Sequence, residues 1–140
     1  MIPHQASCVA LGGGALVIEG PPGSGKTSLA LALIDRGAVL IGDDGVLIEA
    51  RGGRVLAAPH PATAGLVEVR NLGLIRRPTA APAPVGLILR LDPEAPRYVE
   101  NAERIELLGV AVPMLRLTPH EPILPIKAEL AWARFADPPR

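Results

Sequence analysis

The chain has 140 residues, and its 14 Lys plus Arg balance 14 Asp plus Glu, so no net field draws it to a nucleic-acid backbone or an anionic membrane. With one Phe, one Trp and one Tyr it lacks a stacking platform for single-stranded nucleic acid, and no apolar run approaches the ~20 residues that cross a bilayer. A lone Cys8 excludes an internal disulfide, and His4, His60 and His120 are too dispersed for zinc-ligand spacing, which leaves one domain, residues 1–140, with an aliphatic core.

Met1 to Gln5 carries no Lys or Arg ahead of the apolar segment Ala6–Ile18, and a glycine-rich loop follows at once. That segment therefore reads as strand rather than export signal, and the protein as cytoplasmic. Ala15 to Glu19 is a short apolar run expected to be a buried strand. From Lys26 to Arg36 a wide apolar face of Leu29, Leu31, Ala32, Leu33 and Ile34 predicts a helix, with Gly37 placed to end it in a left-handed cap.

Val39-Leu40-Ile41 begins a second buried strand that runs into Asp43-Asp44. Val46–Ile48 and Val55–Ala57 flank Gly52-Gly53 as a hairpin. Further short strands are expected at Leu66–Val69, Val85–Leu91, Arg104–Leu107 and Met114–Leu117, and a closing helix at Ile126–Phe135. The Pro-rich run Arg76 to Pro84 reads as a loop, being neither helix nor central strand. The order of elements predicts an α/β domain with a mixed sheet.

Gly20-Pro21-Pro22-Gly23-Ser24-Gly25-Lys26-Thr27 carries the chemistry. Its spacing of glycines, lysine and hydroxyl is that of a phosphate loop, in which backbone N–H groups converge on phosphate oxygens without an intervening Cβ. The helix that follows directs its positive end at the phosphates, Lys26 supplies a point charge for the β and γ groups, the Thr27 hydroxyl can ligate Mg²⁺, and Ser28 completes the nucleotide-contacting set. A strand leading in and a helix leading out give the motif its required context, so ATP with Mg²⁺ is the expected cofactor.

Asp43 and Asp44 close the strand after the loop helix, at the edge where ligands of open α/β sheets gather. One carboxylate could hold the metal and the other could accept the proton of an attacking hydroxyl; a solvated Asp-Asp-Gly turn is the plainer alternative. Glu68 and Arg70, as alternate residues of one strand, could bring a carboxylate and a guanidinium to one site, or simply form an exposed ion pair.

Together these motifs resemble the catalytic domain of the HPr kinase/phosphorylase family, bacterial enzymes that phosphorylate a serine of the phosphocarrier protein HPr. The resemblance is carried by His4 upstream of the loop, the loop itself, Leu31 to Gly37 at the helix end, the Asp43-Asp44 pair, Val67 to Ile75, and Gly109 to Met114. It implies a phosphate-loop fold akin to the ATP-binding domain of phosphoenolpyruvate carboxykinase, often assembled as a hexamer. It implies Lys26 on the phosphates, Thr27, Asp43 and Glu68 near the metal, and Asp43 and Asp44 as catalytic residues in the metal and general-base roles. It also implies Arg70 near phosphate charge, Arg97 as a mobile catalytic arginine, and His4 near the site. The reverse reaction, in which inorganic phosphate removes the seryl phosphate and leaves pyrophosphate, is implied as well.

The chain departs from the family pattern at Asn71, which stands where a glycine is usual, in the Pro-rich Arg76–Pro84 run, and at His120-Glu121-Pro122 before the last helix. It reads as a short form without the amino-terminal domain of many family members. Two other readings use the same loop. A small-molecule kinase would draw lid cations from Arg76, Arg77, Arg90, Arg97 and Arg104, and an inactive ATP-binding regulator would have no need of an intact Lys26, Asp43 and Asp44.

Overall fold

Two strands, each apolar along nearly its whole length, lie at the centre of the sheet. The structure is a computed structural model, which describes residues 1–139. The elements in chain order are β1 (Ile2–His4), β2 (Ser7–Leu11), β3 (Gly14–Glu19), α1 (Lys26–Asp35), β4 (Val39–Gly42), β5 (Val46–Arg51), β6 (Arg54–Pro59), β7 (Leu66–Val69), β8 (Gly73–Arg76), β9 (Ala83–Leu91), β10 (Glu103–Leu107), β11 (Val110–Leu117) and α2 (Leu124–Phe135). Nine strands make one mixed sheet in the order β1-β5-β6-β9-β3-β2-β4, with β11 joining β9 and carrying β10; β7 and β8 pair apart as a hairpin.

β3 and β9 are buried on both faces, which is why they read as continuous apolar runs. Alternation divides their side chains between two cores. Ala15, Val17, Val85 and Ile88 join Ile41, Ile48 and Met114 on one face. Leu16, Ile18, Leu87 and Leu89 join Leu29 and Leu33 of α1 and Leu124 and Ala128 of α2 on the other. The pairing of β3 with β9 shifts register after Ala15↔Val85, so that Leu16 meets Leu87 and Gly86 is left as the extra residue. Trp132 of α2 fills the space left by Gly86 and Gly14: a Cβ on either would come within 2.8 Å of its ring.

The register also decides where the loops go. β3, β9 and β11 are mutually parallel through β9, and β4 runs parallel to β3 because both are antiparallel to β2. All four strands therefore deliver their carboxyl ends to one edge of the sheet. That edge receives the glycine-rich loop after β3, the Asp43-Asp44-Gly45 turn after β4, residues 92–102 after β9 and residues 118–123 after β11.

Local chemistry accounts for the punctuation. Gly37 ends α1 at φ 114°, where its N–H bonds the Ile34 carbonyl and that of Ala38 reaches back to Leu33, a Schellman closure. Gly52 and Gly53 turn β5 into β6 with φ of 60° and 75°, the mirror-image turn that suits strand twist.

Three expectations change. The apolar segment Ala6–Ile18 is a hairpin, β2 and β3, folded at Gly12-Gly13 where φ is 56° and 82°. β1 and β8, too short to show a period in sequence, gain their stability from partners β5 and β7. The Pro-rich run is not loop throughout: Arg76 closes β8, while Ala83 and Pro84 open β9 against Ala57 and Leu56, a strand start being a place where a missing N–H is tolerated. Between them, Ala80 N–H bonds Leu40 O at 2.8 Å and Arg77 N–H bonds Gly65 O at 2.7 Å.

The turn that presents the acidic pair leaves no room at its first residue. A Cβ at Gly42 would stand 2.4 Å from the Gly45 carbonyl oxygen and 2.6 Å from Val46 Cγ1. Gly42→Ala is expected to lower stability by ~1–3 kcal/mol, read as a drop in the urea unfolding midpoint at unchanged slope.

Candidate active site

The glycine-rich loop is closed on itself. Gly20 sits where a Cβ would meet Ser24 Oγ at 2.5 Å, and Gly23 and Gly25 take φ of 80° and 93°, conformations that glycine adopts without a Cβ clash. Ser24 N–H bonds Pro21 O at 3.1 Å, whereas the buried Ser24 Oγ has no hydrogen-bond partner among the described residues. Lys26 Nζ donates to Gly20 O at 2.7 Å and Pro21 O at 3.3 Å, so the ammonium lies folded over the loop's own carbonyls.

Asp43 ties this loop to the rest of the edge. Its Oδ1 accepts from Thr27 Oγ1 at 2.8 Å and from Ser7 Oγ at 3.0 Å, and its Oδ2 accepts the Glu68 N–H at 3.4 Å. Asp44 differs: it is exposed, at φ 58°, and makes no hydrogen bond among the described residues. Two adjacent carboxylates thus have separate environments, one held among hydroxyls and one free to meet a ligand.

The other expected residues are spread around this pair. Glu68 reaches Asp43 through its backbone N–H, and its side chain is exposed. Arg70 does not alternate with Glu68 along a strand, because β7 ends at Val69 and Arg70 stands in the turn to β8 with Asn71 at φ 75°. Arg97 is exposed in the segment after β9, where the neighbouring Val99 packs against the helix-side core. The described residues hold no group of three His, Cys, Asp or Glu side chains arranged around a common cation. The Thr27 hydroxyl and Asp43 carboxylate are nonetheless hard oxygen donors at one point, which suits Mg²⁺ sharing its remaining positions with phosphate and water.

Below the loop lies a network that the spacing of motifs did not reveal. Glu19, the last residue of β3, accepts from Arg90 Nε at 2.9 Å and lies 2.8 Å from His4 Nε2. His4 is opposite Val46 in the β1–β5 pair, beside the acidic turn. A charged residue closing an otherwise apolar strand, directly before Gly20, was the available signal. Ser7 gave none, since its role depends on the β2–β4 pairing. His120 likewise reaches the loop only through the fold: its ring is 3.4 Å from where a Gly25 Cβ would stand. Cys8 is fully buried, and that burial pushes its thiol well above the ordinary range, leaving it neutral and inert.

Burial pushes the Glu19 carboxyl up, but hydrogen bonds from His4 and Arg90, together with their charges, outweigh it and hold the group below its usual value. The stability it contributes is therefore present above the ordinary carboxyl range and is lost as pH falls through the lower folded value. Glu19→Gln should destabilise the protein at pH 7, and the gap from wild type should shrink as urea melts are taken below about pH 4.

The family model for the HPr Serine kinase C-terminal domain matches residues 2–79, more than half of the chain. The HPr kinase/phosphorylase of Chlorobium chlorochromatii is 30% identical over 138 residues, 89% of this chain and 40% of that protein. The enzyme of the same name from Mycoplasma mycoides is 24% identical over 128 residues, 81% of this chain and 41% of that protein. The chain thus spans about two fifths of the length of these relatives. In fold it is similar to the Hpr(Ser) kinase/phosphatase from Coxiella burnetii, with a TM-score of 0.83 at 23% identity over 93% of both chains. The match of the family model over residues 2–79, a stretch that includes the glycine-rich loop and the tandem acid turn, makes the chain a member of the HPr Serine kinase C-terminal domain family.

Proposed function

We propose that this domain binds ATP with Mg²⁺ and transfers the terminal phosphoryl group to a serine hydroxyl of HPr, and that it also removes that group with inorganic phosphate. The observation that carries the reading is the Thr27–Asp43 hydrogen bond at 2.8 Å, which joins the first turn of the loop helix to the acidic turn. A triphosphate on the loop would have its terminal group facing Asp43 and Asp44.

Bound Mg²⁺, held by Thr27 with Asp43 and with Glu68 as a further carboxylate nearby, would neutralise charge that builds on the phosphates. Lys26 exchanges its carbonyl contacts for phosphate oxygens, a short movement for a flexible side chain. Asp44, unpaired and exposed, takes the proton of the serine hydroxyl as its oxygen bonds to phosphorus and the bond to the departing diphosphate breaks. In the opposite direction the protonated Asp44 returns that proton to the serine oxygen, while inorganic phosphate receives the phosphoryl group and leaves as pyrophosphate. Arg97 and Arg70 add positive charge from loops on either side, and His4 is oriented by Glu19.

In this reading the domain is a cytoplasmic regulator of sugar phosphotransfer; among the described residues no helix is long and apolar enough to cross a membrane. Leu72 and Leu74, 72% and 68% exposed on the β7–β8 hairpin, offer apolar surface for assembly into a homo-oligomer.

Incubation with radiolabelled ATP, Mg²⁺ and HPr should label HPr, and HPr whose target serine is replaced by alanine should stay unlabelled. Consumption of ATP against a metabolite pool, without label on HPr, would assign a small-molecule kinase instead; binding without turnover would assign a regulator. Lys26→Ala should abolish both directions. Asp44→Asn should keep ATP binding and lose transfer by ~10²–10⁴-fold; full transfer in that variant would remove Asp44 from the base role.

A further inference from the structure

A cavity of about 240 Å³ opens beside the phosphate loop, between the first turns of α1 and α2, and is lined by Gly25, Ser28, Leu29, His120, Glu121 and Pro122 among others. Its position follows from the parallel arrangement of β3 and β11, whose carboxyl-end loops meet there. Gly25 belongs to both the loop and the cavity, so a ligand with its phosphates on the loop can extend into the cavity.

From this continuity we propose that the cavity receives the nucleoside part of the nucleotide, with the His120 ring as the surface on which the base stacks. The inference rests on the reading of the loop as a nucleotide site and goes beyond it in naming what recognises the rest of the molecule. The walls suit that occupant. Leu29, Leu124 and the two prolines, Pro122 and Pro125, are apolar, while Ser28 and Glu121 add a hydroxyl and a carboxylate. Lys127 donates to Glu121, which fixes the carboxylate where ribose hydroxyls or an exocyclic amine would meet an acceptor. The volume is below the ~300–1,000 Å³ that encloses a whole drug-sized ligand, as expected when the phosphates lie outside it.

His120 itself is held for this position. It has φ 65°, a left-handed conformation that histidine tolerates better than most residues, and the bend brings its ring onto Gly25. A Cβ at Gly25 would stand 3.4 Å from the ring, an ordinary van der Waals contact, so the imidazole lies directly against the loop. A ring kept in a strained backbone conformation, exposed on one side and bordering an apolar cavity next to a phosphate loop, has the attributes of a base-stacking platform.

Calorimetric titration of the full chain with ADP and with pyrophosphate, both with Mg²⁺, tests the assignment. His120→Gly removes the ring and relieves the backbone, and His120→Asn removes the ring but keeps a residue suited to that conformation, so both should fold as wild type does in a thermal melt. Both should weaken ADP binding about tenfold while pyrophosphate affinity stays within about twofold. Unchanged ADP affinity in both variants, or an equal loss for the two ligands, would overturn the pocket while leaving the loop reading in place. Failure of either ligand to bind wild type would overturn the loop reading and the pocket with it.

Discussion

One carboxylate holds the functional edge together. Asp43 accepts hydrogen bonds from Ser7 on β2, Thr27 on α1 and the backbone of Glu68 on β7, so three elements distant in sequence are fixed around a single residue at the end of β4. Because three donors converge on one side chain, the loss of any one of them would loosen the tie between the elements. The same contacts direct the helix dipole, the hydroxyl and the acid to one point, which is why structure and site cannot be separated here.

The edge is made possible by a burial pattern rather than by the loop sequence. β3 and β9 are apolar on both faces because two cores, one bounded by helices and one by inward-facing strands, require them to be. Parallel pairing of these strands then sends each following loop to the same side. The glycine-rich loop, the acidic turn, the Arg97 segment and the His120 bend come to one edge without any direct sequence relation. Fold similarity to the Coxiella burnetii protein at 23% identity fits this view, since alternation and strand direction tolerate wide exchange of aliphatic side chains.

Charge is arranged in two layers at the edge. Glu19 lies under the loop, and alone it would oppose an incoming phosphate; its pairing with Arg90 and contact with His4 compensate that charge. Next to it, Lys26 Nζ donates to the carbonyl oxygens of Gly20 and Pro21, so the ammonium is held against the loop's own backbone.

Local chemistry made much of this legible in the sequence. The glycine-rich loop, the helix from Lys26 with its Gly37 cap, the Gly52-Gly53 hairpin, the acidic turn and the closing helix each rest on residues adjacent in the chain, where glycine geometry and helix periodicity are decided. Long-range register was not legible. β1 and β8 are strands only because partners complete them, Pro84 is in a strand because it begins one, and Arg70 left its strand because the hairpin turned one residue early. Ser7, Arg90 and His120 carry no local signature, and Glu19 only its place at the end of an apolar strand, since what they touch was set by which strands pair and in which direction. The chain by itself determined the chemical parts; the tertiary structure alone decided which of them meet, because contact between residues many positions apart depends on the packing of two cores and not on any local preference.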